Sequence, residues 1–380
     1  MSHVFHVITA FIALYVIWRF VWRLRWPAAG KLLLSALVLL AAEHHLITRT
    51  FFGTMASPEV PAAVLMALGW AFGALILLAV FLFVSDVAGL AVSLFSRRRG
   101  RALLGCPRLR AVSAVAALAL SALGVWQAVR VPQVETIEVA LPNLPHAYDG
   151  FRIVHLTDLH ASRLLQRDWM QAVVARANAL EPDLTLITGD LVDGTPAARA
   201  ADVQPLADLR APHGVVAIPG NHEYYAEYLG WLQAFEKLGL RMLLNEHMIL
   251  DRDGQPLVLA GITDSVAARV GQPMPDIDAA MKGVPPSSAV ILLSHRPVGA
   301  KRHAQAGAGL QLSGHTHGGQ ILGPHLITQL ANEGYVSGMY QVGGMQLYVS
   351  NGAGLWPGFP IRLGRPSEIT QIVLRAAPPA

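Results

Sequence analysis

The sequence predicts a chain in two parts, an all-α region of about four membrane-spanning helices followed by an α/β domain, and three observations carry the division. The 380 residues are 53% hydrophobic and only 14% charged, where an ordinary soluble protein is roughly a quarter charged. The long apolar stretches all fall before residue 130. After residue 150 the pattern changes to short apolar runs that stop abruptly at Asp, Gly, Asn or His.

Crossing a bilayer takes about 20 predominantly apolar residues per helix, and four stretches meet that requirement: 4–22, 32–51, 61–84 and 111–129. The second is interrupted by Glu43, His44 and His45, so a shorter or partly interfacial helix competes with a full span there. The third has an amphipathic continuation past Asp86 to Phe95. The first reads as an anchor rather than a cleavable leader, because no small-residue cleavage site follows it and Arg19, Arg23 and Arg25 flank its far end. The pI near 9.4 does not point to nucleic acid. Its densest arginines, Arg97 to Arg99 with Arg101, Arg108 and Arg110, lie between two apolar stretches, where they set membrane topology.

That loop and the one after the first span are both expected on the cytoplasmic side, which puts both termini outside. The chain is then a multi-pass inner-membrane protein with an extracytoplasmic, periplasmic domain. Cys106, the single cysteine, has no partner for an internal disulfide.

The expected boundaries are a transmembrane region over 1–130, a linker with a short strand over 131–150, and the α/β domain over 151–380. Within that domain RIVHLTDLH, LTLITGDLVDG, GVVAIPGNHE, AVILLSHRP and LQLSGHTHGG each read as a buried strand delivering polar residues at its C-terminal end. Helices are expected over 167–180 and 199–210 between the first three strands. LVLAGIT, MQLYVSN and EITQIVL read as further strands.

Ligands bind at the carboxyl ends of strands in open α/β sheets, because the backbone there is free to turn and side chains converge. Those loops hold Asp158, His160, Asp190, Asn221, His222, His295, His315 and His317. Imidazole nitrogen with carboxylate oxygen, and no cysteine, suits Mn, Fe, Zn or Co rather than a structural zinc site. Residues i and i+2 of an extended segment lie on one side, so Asp158 with His160, or His315 with His317, can clasp one ion or straddle two. Glycines 189, 220, 314, 318 and 319 allow tight turns and close approach.

In this order the motifs D-x-H, G-D, G-N-H-[DE], H and G-H-x-H closely resemble the calcineurin-like metallophosphoesterase family over about residues 151–375. The membrane-spanning N-terminus, with GHTHGGQ and YVSNGAG, is similar to its bacterial membrane-attached subgroup. The resemblance implies a sandwich of two mixed β-sheets flanked by helices. It implies two divalent metal ions (Mn, Fe or Zn), the first held by Asp158, His160 and His317, the second by Asn221, His295 and His315, with Asp190 bridging. His222 would bind no metal and would face the leaving-group oxygen.

The activity implied is hydrolysis of phosphodiester, pyrophosphate or phosphomonoester bonds by a metal-bridging hydroxide. The expected partners are a phosphate-ester substrate, with lipid-linked phosphates as one class, and membrane lipid. No nucleic acid is expected; metal identity and oligomeric state are not legible in the sequence.

Two alternatives compete. A non-catalytic metal-containing membrane module would be expected to lose His222 or a ligand, and none is missing. A two-metal nuclease would want a basic, aromatic-lined track, whereas Arg163, Arg167, Lys301 and Arg302 are scattered. Other residues divide between structural and functional roles. Asp193 is read as orienting Asp190 or forming a turn, Glu223 as an orienting group or a helix cap, and Tyr224 and Tyr225 as groove or packing. Arg362 is read as a phosphate contact or a surface residue. The segment with Trp356, Pro357, Phe359 and Pro360 is read as leaning on lipid or packing on the domain.

Overall fold

A computed structural model describes residues 2–52, 54 and 56–376, in two compact units. The first unit holds residues 1–127 together with Pro357–Ile361. Its helices are α1 (Ser2–Arg19), α2 (Ala28–Phe52), α3 (Ala62–Phe95), α4 (Arg97–Gly105) and α5 (Pro107–Val129). Four of them, α1, α2, α3 and α5, are long and apolar enough to cross a membrane. The second span runs unbroken through Glu43, and His44 and His45 are buried in it. The third continues to Phe95 as one helix. Prolines mark the starts of α3 and α5, where the missing N–H costs nothing. Ser96 caps α4 by accepting from the Arg99 amide.

Two charged groups within these spans, Asp86 and Glu43, are met by polar partners, which offsets part of the cost of charge in hydrocarbon. Arg19 donates both its Nε and an Nη to Asp86, and Tyr15 donates to the same carboxylate at 2.8 Å. Thr9 donates to Glu43 at 2.8 Å. Pro357–Ile361, expected to lean on lipid or on the α/β domain, seats among the helices instead. Gly69 and Gly73 have no side chain where Pro360 and Ile361 lie, His45 Nε2 bonds the Gly358 carbonyl, and Phe72 packs edge-on against Phe359.

The second unit spans residues 128–356 and 362 onward. In chain order it contains β1 (Gln133–Leu141), β2 (Arg152–Leu156), α6 (Arg167–Ala179), β3 (Leu184–Thr188), α7 (Pro196–Val203), β4 (Val215–Ile218), α8 (Tyr228–Lys237) and β5 (Leu240–Met242). Then follow β6 (Glu246–Arg252), β7 (Gln255–Gly261), α9 (Ile277–Met281), β8 (Ala289–Leu293), α10 (Ala300–Gln305), β9 (Leu310–Ser313), α11 (His325–Ala331), β10 (Gly338–Val342), β11 (Met345–Val349) and β12 (Glu368–Ala376). The helix expected over 199–210 begins earlier, at the Thr195 cap, and gives way to a 3-10 turn at Gln204, because Pro205 cannot continue the α-helical ladder.

Two six-stranded mixed sheets result, in the orders β1-β12-β2-β3-β4-β5 and β10-β11-β9-β8-β7-β6. Strands β2 to β5 run parallel, as do β7, β8, β9 and β11. The central strands β3, β4 and β8 are buried along their whole length, which explains their continuous apolar runs. One apolar core joins the facing sheets through Leu184, Ile218, Leu259, Ile291 and Leu310. Helices α6 and α8 cover the outer face of one sheet, and α9 and α10 that of the other. Strand β1, in the stretch expected as a linker with a short strand, pairs in register with β12 over nine residues, Gln133 to Leu141.

Candidate metal centre

The polar residues arrive by the same local device in each loop. Asp158, Asp190, His295 and His315 each stand two residues past the end of their strands β2, β3, β8 and β9. Asp158, His160, Asp190, His315 and His317 all have positive φ, between 48° and 69°. Asp and His tolerate this left-handed region better than bulkier residues, and its clustering at one place is typical of a functional site. Gly220 and Gly314 are small for a different reason. A Cβ on Gly220 would overlap the Asp190 carboxylate, and one on Gly314 would overlap Asp158 and Thr157.

These loops meet where the two sheets join. The amide of His315 donates to both oxygens of Asp158, at 3.0 and 3.2 Å. His295 Nδ1 bonds the Thr188 carbonyl at 2.8 Å, which directs its Nε2 to within 3.3 Å of Asp190 and 3.2 Å of Asn221 Oδ1. All eight side chains singled out in the sequence therefore come together. Asp158, His160 and His317 form one group able to hold a cation, and Asp190, His295 and His315 a second. Asn221 Oδ1 belongs beside the second group, by its approach to His295.

Asp193 is more central than the sequence indicates. Besides the roles read in the sequence, it holds two imidazoles, with Oδ2 3.1 Å from His160 Nδ1 and Oδ1 accepting from His222 Nδ1. A carboxylate only accepts, so both Nδ1 atoms carry the proton and both Nε2 atoms face the site. His160 Nε2 is fully buried without a hydrogen-bond partner, 3.7 Å from Asp158 Oδ1 and 3.7 Å from Asp190 Oδ2. Burial on its own would raise the Asp193 carboxyl, but the two imidazoles outweigh it and hold it below the usual range.

Glu223 does not cap a helix. It is fully buried and accepts from the amides of Asp190, Leu191, Val192 and Gly220, clamping two strand-end loops together. Burial and the charge of Asp190 push its carboxyl up to about 7, against the pull of the Gly220 amide. The two tyrosines part ways: Tyr224 is buried and stacked on Tyr228, while Tyr225 is half exposed, its ring 5.0 Å from His222 and its hydroxyl on the Asn221 amide. Trp356 stands beside His222, ring centroids 6.5 Å apart.

Arg362 is neither a surface residue nor placed for phosphate. It is fully buried and donates to the carbonyls of Asn351, Gly354 and His317, bracing the loops behind the site. The arginine that does face the site is Arg296, which the sequence reading passed over although it directly follows His295. Its Nε is held by the buried Asp264 at 2.7 Å, while Nη2 reaches Asn221 Oδ1 at 3.1 Å and Nη1 reaches His315 Nε2 at 2.8 Å. The only sequence signal was that adjacency.

Comparison with known proteins agrees with the geometry. The family model described as calcineurin-like phosphoesterase matches residues 151–319. A bovine protein described as "transmembrane protein with metallophosphoesterase domain" is 36% identical over 325 residues, covering 80% of this chain and 72% of the relative. Its zebrafish counterpart is 32% identical over 317 residues, with the same shares. The Bacillus subtilis metallophosphoesterase YkuE is 32% identical over 255 residues, covering 64% of this chain and 86% of the relative.

Proposed function

The chain belongs to the calcineurin-like metallophosphoesterase family and is membrane-associated, and from that premise we propose that it hydrolyses phosphate esters at a two-metal centre where its sheets meet. The observation that carries the proposal is His160 Nε2. It is a buried nitrogen with no hydrogen-bond partner, its ring pinned from behind by Asp193, and its distance to two carboxylates is too long for a hydrogen bond and suited to a shared cation. The donors are nitrogen and oxygen only, the set that first-row divalent metals favour.

Asp158, His160 and His317 would hold one ion, Asn221, His295 and His315 the other, and Asp190 lies between the two groups. When bound, divalent cations acidify water and neutralise charge growing on the phosphoryl oxygens. The chain's own residues supply the rest. Asp193 fixes the Nδ1 proton of His222, so the other ring nitrogen is presented to the substrate. Water oxygen forms the new bond to phosphorus and loses a proton to solvent. The bond to the leaving oxygen breaks with its electron pair, and that oxygen takes a proton from Nε2 of His222 in its doubly protonated form, which burial opposes but the charges of Asp190 and Asp193 favour on balance. Arg296, anchored by Asp264, places a guanidinium beside Asn221 and His315 to contact a phosphoryl oxygen.

Phosphodiesters and pyrophosphates are favoured over phosphomonoesters, and lipid-linked phosphates are the substrate class that a membrane tether brings within reach. The basic loops after the first and third spans support an extracytoplasmic domain, periplasmic in a cell with two membranes. A screen of the purified full chain across monoesters, diesters and lipid pyrophosphates tests the reaction class. Turnover of soluble aryl phosphates as fast as of any lipid extract would remove the lipid-linked part. A C-terminal reporter active only in the cytoplasm should be silent, and a bright one would reverse the orientation.

A further inference from the structure

The positive charge of this chain is concentrated in residues 1–127, which carry eleven lysines and arginines against three acidic residues, while the remainder is net negative. Three of those arginines line one cavity of about 430 Å³ at an end of the helical unit: Arg19, Arg23 and Arg110, with Trp18, Asp86 and Leu104 completing the walls. Its single carboxylate is already engaged, since Asp86 accepts from Arg19 twice and from Tyr15. Neither Arg23 nor Arg110 has a carboxylate partner among the described residues; Arg110 only approaches the Leu104 carbonyl, at 3.5 Å. The cavity therefore holds two uncompensated guanidinium groups.

The length of α3 bears on its depth. Asp86 lies in the last third of α3, which starts at Ala62. At 1.5 Å per residue that is about 36 Å along the helix, beyond a hydrocarbon core about 30 Å thick. A helix that enters the bilayer at Ala62 thus brings the cavity to the level where lipid phosphates lie. Trp18 is 59% exposed on its rim, as tryptophan is at membrane interfaces, and Leu90 and Leu104 continue an apolar wall.

We propose that this cavity is a binding site for an anionic phospholipid, whose phosphate is held by Arg23 and Arg110 while its chains follow the wall of Trp18, Leu90 and Leu104. Arg19, locked to Asp86, shapes the site and contributes no free charge. This site is separate from the metal centre and does not depend on how that centre works.

The test uses the full chain reconstituted in nanodiscs of phosphatidylcholine with a minor fraction of phosphatidylglycerol, scoring lipid retained after extraction by native mass spectrometry. Wild type should retain phosphatidylglycerol over phosphatidylcholine. The double variant Arg23→Gln, Arg110→Gln should hold it about thirtyfold more weakly, at roughly fivefold per basic residue near the membrane surface. Arg97→Gln with Arg98→Gln, which removes equal charge outside the cavity, should behave as wild type. If the double variant does not fold, Arg23→Gln alone, at an exposed position, should give the fivefold step. Equal retention by the cavity variants, an equal loss in the control pair, or displacement of the lipid by inorganic phosphate at matching concentration would each overturn the proposal.

Discussion

His160 and His222 are tied to opposite oxygens of one carboxylate, Asp193. One of these rings belongs to the proposed metal shell and the other to the proposed proton donor, so a single side chain fixes the Nδ1 proton and the orientation of both. Replacing Asp193 by Asn leaves one oxygen to accept where two ring N–H groups now donate. Asp193→Asn should lower both metal affinity and turnover by about ten- to a hundredfold. Unchanged metal content together with unchanged turnover would remove the orienting role.

Arg296 touches acceptors of the second donor group through two nitrogens while Asp264 holds the third. Lysine keeps the charge but cannot reproduce the fork. Arg296→Lys should reduce kcat/KM by about tenfold or more, the scale of one charged hydrogen bond, and weaken inhibition by inorganic phosphate in parallel. An unaltered phosphate inhibition constant would mean that Arg296 only braces Asp264.

A Cβ at Gly314 has no room, because Asp158 and Thr157 occupy its place. Gly314→Ala should destabilise the domain by about 1 to 3 kcal/mol, as overpacking does, and should also cost metal content by displacing Asp158. Gly344→Ala, at a position with open space around it, is the matched control and should be neutral. Thermal unfolding of the two full-length variants checks this. Equal midpoints would show that the loop yields more readily than its packing implies.

Much of this is legible in the sequence. The apolar runs ending in Asp, Asn or His marked their strands because strands buried on both faces are mostly apolar and their ligating groups come where the chain leaves the sheet. What was not legible were partners set by distant chain segments. Asp193 reads locally as orienting Asp190 or forming a turn, and only the approach of the loop after β4 gives it His222. Glu223 reads in the sequence as an orienting group or a helix cap, because a sequence does not show which amides lie across a loop. Arg362 and the Pro357–Ile361 segment follow each other directly, yet one is buried behind the metal centre and the other among the helices. Nothing in the Gly- and Pro-rich run GAGLWPGFPIRLGRP announces that change.

Burial holds the His155 imidazole down to about 4, against an ordinary value near 6.5. As pH falls below 6.5 the unfolded chain takes up a proton there and the folded chain does not, so this contribution to stability is present above 6.5 and is lost toward pH 4. By pH 5 the loss is about 2 kcal/mol. The drop in unfolding midpoint between pH 7 and pH 5 should therefore be smaller in His155→Gln than in wild type. Equal drops would place the acid sensitivity elsewhere.

The proposed centre holds two metal ions per chain with Asp190 between them. Metal analysis of the full-length purified protein, wild type beside Asp190→Ala, tests it most directly. About two divalent first-row ions per chain in wild type, falling below one in the variant, is the result predicted. One ion or none in wild type, or a content that Asp190→Ala leaves unchanged, would contradict it.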